Sequence, residues 1–232
     1  MTRLPPNPLP SPPPEYRERE NDSQIHSHKY AWIVLWALLL CAAFFVDRTV
    51  ATWVQQTVPL DKHFRSIKAL IFLIRIPGDF RFAVAIAIIL AMVHPKRIWA
   101  AAALLLSGVA TGINPVIKWI TGRHRPIKGI HPFEFHPFPQ GFVGLYKEQA
   151  LCFPSGDTTH AFAAAASLSI LFPRWKWVFY FVALLVAAER VLENAHYMSD
   201  VVAGAGLGTF LGVFVTNFVL RHAKLPPADL RT

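Results

Sequence analysis

The chain has 232 residues, of which 53% are hydrophobic and 16% charged, and its formal net charge is +9. Soluble domains carry about 25% charged residues, whereas this chain repeats apolar stretches of roughly membrane-spanning length that have no polar face. This composition excludes a disordered protein, a disulfide-stapled secreted domain and an ordinary cytosolic enzyme. The cations are dispersed between the apolar runs, which favours anionic lipids or phosphate-bearing substrates as partners over nucleic acid.

The N-terminal residues differ in composition from everything that follows. Residues 1–29 are rich in proline and then in charge, and a segment with so little apolar content is expected to remain a disordered tail. Residues 30–220 carry the apolar runs and are expected to form one membrane domain. Residues 221–232 are expected to form a short C-terminal tail.

Apolar runs predict an all-α integral membrane bundle of six transmembrane helices. The segment 66–77 is also apolar, but Arg75 and the Pro77-Gly78 break favour an interfacial or re-entrant helix between the first two spans. An extension of the second span is the alternative. The predicted spans cover residues 30–46, 80–93, 98–117, 157–172, 175–188 and 201–220.

Two short links set the predicted orientation. Residues 94–97 and 173–176 contain basic side chains and no acidic ones, so the positive-inside rule places them in the cytoplasm with both termini. The loops at 47–79, 118–156 and 189–199 then face outward, on the periplasmic side of a bacterial cytoplasmic membrane. In the last span, Gly204, Gly208 and Gly212 repeat every four residues, which predicts close packing against another helix.

Three polar clusters flank these spans, all on the predicted outer side. One runs from Lys118 to Arg125, one opens with Ser155-Gly156-Asp157, and one joins Arg190, His196 and Asp200. Each has a structural interpretation alone: snorkelling anchors, a helix cap, or a surface hydrogen-bonded pair. Their convergence on one membrane face favours a common site instead, because charged groups near a bilayer are energetically costly and are usually functional.

Together the clusters supply the groups that phosphoryl transfer requires. Lys118, Arg125 and Arg190 can neutralise the phosphate oxygens. Ser155 and the backbone N–H groups of the following helix can form an anion site. His196 is a candidate nucleophile, and Asp200 can hold its other ring nitrogen. No carboxylate cluster suggests a metal, so the sequence predicts a metal-free mechanism without a cofactor.

These motifs resemble those of the type 2 phosphatidic acid phosphatase superfamily, which includes membrane lipid phosphatases, bacterial acid phosphatases and vanadium-dependent haloperoxidases. The superfamily patterns are Lys-x6-Arg-Pro, Pro-Ser-Gly-His and Ser-Arg-x5-His-x3-Asp. They correspond here to Lys118…Arg125-Pro126, Pro154-Ser155-Gly156-Asp157 and Glu189-Arg190…His196…Asp200. The order and the intervals agree, and six spans is the architecture of the membrane branch.

The resemblance implies a lipid phosphatase that acts through a phosphohistidine on His196, with Asp200 orienting the imidazole. It also implies phosphate binding by Lys118, Arg125, Ser155, Gly156 and Arg190. Arg123, two residues before Arg125, is expected to assist or to be a solvated loop residue. The substrate would be a membrane lipid phosphate or diphosphate: a polyprenyl diphosphate, phosphatidic acid, phosphatidylglycerol phosphate or a lipid A phosphate.

Two positions depart from the superfamily patterns. Glu189 replaces a serine, and Asp157 replaces the histidine that protonates the leaving group. Asp157 is one candidate general acid, His160 one helical turn further on is a second, and His124 a third. A reaction without a dedicated acid also remains open. A diphosphate has a good leaving group, so we hypothesise that Asp157 reflects such a substrate.

Other activities fit the same residues. A lipid phosphotransferase would use the same phosphohistidine with another acceptor. A non-catalytic lipid-phosphate binder or transporter would follow from loss of the acid at Asp157. Vanadate-dependent halide oxidation is disfavoured by the membrane spans. The sequence leaves the lipid and the oligomeric state open.

Overall fold

The computed structural model describes residues 14–58, 73–93, 97–139, 141 and 150–223. Across these ranges the chain is helical and has no β-strand, with two isolated bridges that pair Arg123 with Phe135 and His124 with Leu151. The all-α prediction is therefore confirmed. The helices are α1 (Pro14–Thr57), α2 (Phe80–Val93), α3 (Ile98–Ala110), α4 (Asn114–Thr121), α5 (Gly156–Leu171), α6 (Lys176–Leu192) and α7 (Met198–His222).

Each of the six predicted apolar runs corresponds to these helices, although Phe172 and Trp175 lie one residue outside α5 and α6. The third run is divided between α3 and α4, which a 3-10 turn at Thr111–Ile113 joins. Among the described residues, three helical stretches are long and apolar enough to cross a membrane, Ala31–Thr57, Ile98–Thr121 and Met198–His222, and α2 is a shorter apolar helix. With 16 and 17 residues, α5 and α6 fall short of the roughly 20 that a span needs. The count of six spans therefore stays a prediction.

The first helix begins earlier than the sequence predicts. It starts at Pro14, so residues 14–29 are helical rather than extended. Proline is tolerated in the first turn of a helix, and the Glu and Arg residues that follow are good helix formers. Residues 1–13 and 224–232 lie outside the described residues, so the two predicted tails remain predictions there. The chain divides into two units between Leu39 and Leu40, and the predicted domain boundaries remain predictions.

The segment before α2 lies against the bundle. Residues 66–72 of the predicted interfacial helix are outside the described ranges, whereas 73–75 are helical and a 3-10 turn follows at Ile76–Gly78. A Cβ atom at Gly78 would lie only 2.9 Å from the carbonyl oxygen of Asp157 and 2.9 Å from a methyl carbon of Val186. The turn thus contacts the start of α5 and also α6 with no room for a side chain.

Glycines let α7 pack directly on the backbone of α5. A Cβ at Gly204 would lie 2.7 Å from the carbonyl oxygen of Ser155, and Cβ atoms at Gly208 and Gly212 would overlap the carbonyl oxygens of Thr159 and Ala163. The predicted close packing of this helix is confirmed. It fixes the N-terminal turn of α5 against the N-terminal turn of α7, which is where the site lies.

Small apolar side chains fill the interior, and large ones face outward. Ala161 and Ala165 of α5 are buried with Ala183 and Val186 of α6. Large hydrophobic side chains on the outer faces are exposed, among them Met92, Val109, Phe181, Phe210 and Phe214. Apolar helices with apolar outer faces are suited to a lipid environment. The chain is an integral membrane protein.

Candidate active site

The N-terminus of α5 is the centre of the site. Ser155 is fully buried; its backbone N–H donates to the carbonyl oxygen of Asp200 at 3.0 Å, and its Oγ accepts a hydrogen bond from Thr158 at 2.9 Å. Next to it, an ideal Cβ on Gly156 would lie 3.7 Å from Nζ of Lys118. A helix N-terminus with a lysine ammonium beside it is an anion-binding arrangement.

Lys118 reaches this position because of how α4 ends. It lies in the last turn of α4 and is buried, and its carbonyl oxygen accepts the N–H of Gly122 at 2.7 Å. Gly122 ends the helix in the left-handed conformation, with φ of 64°, and a Cβ there would overlap the backbone of His136. Only glycine fits both constraints. The chain then turns so that Arg123 and Arg125 follow within three residues.

Arg125 is a partly buried cation that forms no ion pair with a described carboxylate, although Asp157 is near enough to favour its charge. Its Nε is buried and makes no hydrogen bond, and among the described side chains it forms no ion pair. Burial lowers the pKa of Arg125 from its ordinary value, and the nearby Arg190 and Arg75 act in the same direction. A guanidinium group in this position is poised to bind an anion.

Arg123 has a different environment. It is fully buried, and its guanidinium donates to Asp47 at 2.6 Å, to the carbonyl oxygen of Pro132 at 2.6 Å and to Ser199 at 2.7 Å, and also to Asp200. Burial disfavours the charge, yet Asp200 and Asp47 outweigh it and raise the pKa of Arg123. The hydrogen bonds of its guanidinium group to described residues are all with protein atoms, including the carboxylate of Asp200. This geometry suits a residue that positions Asp200.

His196 lies in the loop between α6 and α7, and Asp200 lies in the first turn of α7. His196 is buried, and its Nδ1 lies 3.5 Å from Oδ2 of Asp200. That carboxylate also accepts the backbone N–H of Tyr197 at 2.8 Å, and its other oxygen accepts from Arg123. Burial lowers the pKa of His196, and Arg125 and Lys118 add to the effect, while Asp200 opposes it. A neutral imidazole with one nitrogen toward a carboxylate is suited to nucleophilic attack.

Arg190 is surrounded by carboxylates. Its Nε and Nη2 donate to the two oxygens of Glu189 at 2.5 and 2.6 Å, and Nη2 also donates to Glu193. Its Nη1 donates to Oδ2 of Asp157 at 2.9 Å. Nε of Arg75 is 3.1 Å from the same oxygen. Glu189 and Asp157, the two departures from the superfamily patterns, therefore contact one guanidinium.

The two other candidate acids lie in different places. Nδ1 of His160 is 2.7 Å from Oγ1 of Thr111, and its ring is 6.2 Å from that of Phe80. His160, in the second turn of α5, thus faces the region where α3 ends. His124 is exposed in the loop after α4, with its ring 5.8 Å from that of His136. The structure brings Lys118, Arg125, Ser155, Gly156, Asp157, Arg190, His196 and Asp200 around the starts of α5 and α7.

Comparison with known proteins identifies the family. The sequence model of the PAP2 superfamily matches residues 96–224. The chain belongs to the PAP2 superfamily. The matched segment contains all three polar clusters of the site.

Named relatives of this superfamily member are phosphatases. It is 33% identical to a lipid A 1-phosphatase of Rhizobium johnstonii over 130 residues, which cover 55% of this chain and 51% of that protein. It is 27% identical to an undecaprenyl-diphosphatase of Sulfolobus acidocaldarius over 105 residues, 44% of this chain and 47% of that protein. The chain thus spans about half the length of the curated relatives it matches.

A solved structure shares the fold of this superfamily member. It is the first transmembrane PAP2 type phosphatidylglycerolphosphate phosphatase from Bacillus subtilis, with a TM-score of 0.55 and 20% identity. The similarity covers 83% of this chain and 96% of that one. At this level of identity the likeness concerns the fold alone.

Several residues that contact the PAP2 motifs are absent from the sequence predictions. Asp47 and Ser199 bind Arg123, and Glu193 and Arg75 complete the ion pairs around Arg190 and Asp157. Asp47 carried a signal, because an acidic residue inside an apolar helix needs a partner. Within the described ranges, no group of three or more His, Cys, Asp or Glu side chains is arranged to hold a metal ion.

Proposed function

We propose that this PAP2 superfamily member is a membrane lipid phosphatase that removes the terminal phosphate of a lipid phosphate or diphosphate through a phosphohistidine on His196. One observation carries the proposal. The buried His196–Asp200 pair and the anion-binding start of α5 are joined by the hydrogen bond between Ser155 and Asp200. A nucleophile thereby adjoins a place where a phosphoryl group can be held.

The phosphate oxygens would be bound by groups that converge on the start of α5. Lys118 supplies an ammonium group next to Gly156, and Arg125 supplies a guanidinium without a carboxylate partner among the described residues. The free N–H groups of the first turn of α5 and the Ser155 hydroxyl complete the set. These donors match the negative charge that the equatorial oxygens carry during phosphoryl transfer.

The reaction would proceed in two displacements. Because Nδ1 of His196 faces Asp200, Nε2 is the nitrogen that attacks phosphorus. The N–P bond forms while the bond from phosphorus to the lipid oxygen breaks, and the lipid departs with that oxygen and its electron pair. Water then attacks the phosphohistidine, the N–P bond breaks, and orthophosphate is released with neutral His196. Asp200 stabilises the imidazolium character that develops.

The leaving oxygen of a monophosphate ester needs a proton, and Asp157 is the candidate donor closest to the start of α5. Its contacts with Arg190 and Arg75 are ion pairs of the ionised carboxylate, whereas a general acid must carry the proton. His160, hydrogen-bonded to Thr111, is the alternative donor. A diphosphate needs neither, because a lipid monophosphate leaves readily without protonation.

The positions of the site residues support a site at one membrane face. They lie at the end of α4, the start of α5, the end of α6 and the start of α7. Consecutive helices that alternate in direction place these four points on the same side. We assign that side to the outer, periplasmic face, with both termini in the cytoplasm. The phosphate of a lipid in the outer leaflet would then reach His196 from the interface.

Release of orthophosphate tests the proposal. The purified protein is incubated in micelles with a panel of lipid phosphates and diphosphates in EDTA, which should leave the activity intact. His196→Ala should reduce release by at least about 1,000-fold, because removal of a nucleophile disables the whole reaction. His222→Ala is the matched control, since His222 is exposed at the other end of α7. Retained activity in His196→Ala would overturn the mechanism.

A further inference from the structure

Arg75 is a cation at the site that belongs to none of the three motifs. It immediately precedes the 3-10 turn at Ile76–Gly78, and Gly78 fixes that turn against Asp157 and Val186. The backbone of Arg75 is therefore fixed beside the N-terminal turn of α5. Its side chain remains 44% exposed, compared with 2% for Arg190.

Arg75 and Arg190 meet the same oxygen of Asp157 but differ in what else they bind. Arg190 is also held by Glu189 and Glu193. Arg75 contacts the carboxylate through Nε alone, at 3.1 Å, and across the described chain this is its one ion pair. No described side chain pairs with its terminal nitrogens, so they can donate to a ligand. Two guanidinium groups around one anionic oxygen also resemble the way arginines surround phosphate.

The first anion position does not need Arg75. Lys118, Arg125 and the start of α5 already provide two cations and the helix N-terminus for one phosphate dianion. Arg75 contacts Asp157, the residue after Gly156, and its side chain is more exposed than those of the other site residues it adjoins. The positively charged groups of the site thus extend toward the surface, beyond those that would contact a single phosphate.

We propose that Arg75 binds the second phosphate of a lipid diphosphate, the one bonded to the lipid, while the terminal phosphate occupies the start of α5. This inference rests on the proposed function and narrows its substrate class. In the free protein, Asp157 orients the guanidinium group. On binding, the terminal nitrogens of Arg75 donate to the inner phosphate.

The placement also gives Arg75 a part in the reaction. Attack by Nε2 of His196 on the terminal phosphorus breaks its bond to the bridging oxygen. The electron pair goes to that oxygen, so a lipid monophosphate departs with increased negative charge on the inner phosphate. Arg75 stabilises that charge, and no proton is needed for this step. Water then releases orthophosphate from His196.

The test compares two substrates that share one prenyl chain, a monophosphate and a diphosphate. Arg75→Gln should lower kcat/KM for the diphosphate by about 10- to 100-fold, the effect of losing a charge-assisted pair of hydrogen bonds. The monophosphate should change by less than about 3-fold, and Arg75→Lys should restore part of the lost activity because it retains the charge. Arg81→Gln is the matched control, since Arg81 is 90% exposed and pairs with Asp79.

A binding measurement separates this inference from the proposed function. The wild type and Arg75→Gln are titrated with a lipid methylenediphosphonate and with the corresponding phosphonate, neither of which needs turnover. A wild-type preference for the diphosphonate that disappears in Arg75→Gln supports the assignment, even if neither natural lipid is hydrolysed and the proposed function fails. Equal losses on both ligands, or unchanged diphosphonate affinity in Arg75→Gln, overturn it.

Discussion

One added methyl group at Gly204 should disrupt the alignment of the two helices that carry the site. In Gly204→Ala the new Cβ would lie 2.7 Å from the carbonyl oxygen of Ser155, 3.1 Å from Oγ1 of Thr159 and 3.3 Å from Cβ of Thr158. The Thr159 hydroxyl donates to the Ser155 carbonyl oxygen at 2.7 Å, so it cannot rotate away without losing that hydrogen bond. The Ser155 carbonyl cannot move freely either, because Thr159 donates to it through both its backbone N–H and its hydroxyl.

The size of the displacement follows from these distances. The contact of 2.7 Å is about 0.7 Å shorter than the 3.4 Å at which ordinary van der Waals contact begins. If α7 retreats by that amount, the hydrogen bond from Ser155 to Asp200 lengthens from 3.0 Å to about 3.7 Å and is lost. Overpacking of this kind costs about 1–3 kcal/mol of unfolding free energy. A shift approaching 1 Å in a catalytic group can lower the rate by about 100-fold.

Two measurements on the same preparations check this prediction. Thermal unfolding in detergent reports the loss of stability, and orthophosphate release reports the alignment of His196 with the start of α5. Gly112→Ala is the control, because a Cβ there meets nothing within 4 Å. A Gly204→Ala protein that unfolds at the wild-type temperature and keeps full activity would refute the packing argument.

Three further changes test the surroundings of the site. Arg123→Gln leaves the buried carboxylates of Asp47 and Asp200 without their cation and should cost about 3–5 kcal/mol of stability; an unchanged unfolding midpoint would contradict this. Asp157→Asn should lower monophosphate turnover by about 100-fold or more if Asp157 is the acid, and should affect diphosphate turnover less. Intact turnover of both substrates would remove the acid assignment and the diphosphate hypothesis together. Because burial lowers the pKa of His196, kcat/KM should stay flat as pH falls to about 6.5 and decline only below it. Protonation below that pH also favours the unfolded state, so the unfolding temperature should fall there; a rate decline centred above pH 6.5 would contradict the burial argument.

The sequence predicted the features that depend on local patterns. Apolar runs located the apolar part of each described helix, the glycine repeat from Gly204 predicted close packing against another helix, and motif spacing selected His196 and Asp200 as candidates. Contacts between distant segments could not be predicted in this way. Nothing local indicates that Asp47 pairs with Arg123, 76 residues away, or that Arg75 and Arg190 share Asp157. A charged residue in an apolar helix indicates that some partner must neutralise it. Which residue is the partner depends on how the helices pack.

The start of α1 was also outside what composition could predict. Proline and charge predicted an extended tail up to residue 29, yet the helix reaches back to Pro14. Composition reports whether a segment can bury a core, and this segment cannot. It does not exclude a solvated helix that continues a long apolar one, because each added residue only propagates an existing helix and needs no new nucleus.

Asp47 links the first helix to the proposed active site through Arg123. The family match begins at residue 96, so it does not include α1. Yet Asp47 binds Arg123 and accepts both the N–H and the hydroxyl of Ser199, and Arg123 in turn holds the carboxylate that faces His196. A fragment limited to residues 96–224 would keep every motif residue but lose Asp47, which binds Arg123 and Ser199 beside the proposed nucleophile. We therefore expect the proposed activity to require α1 as well as the segment that matches the family.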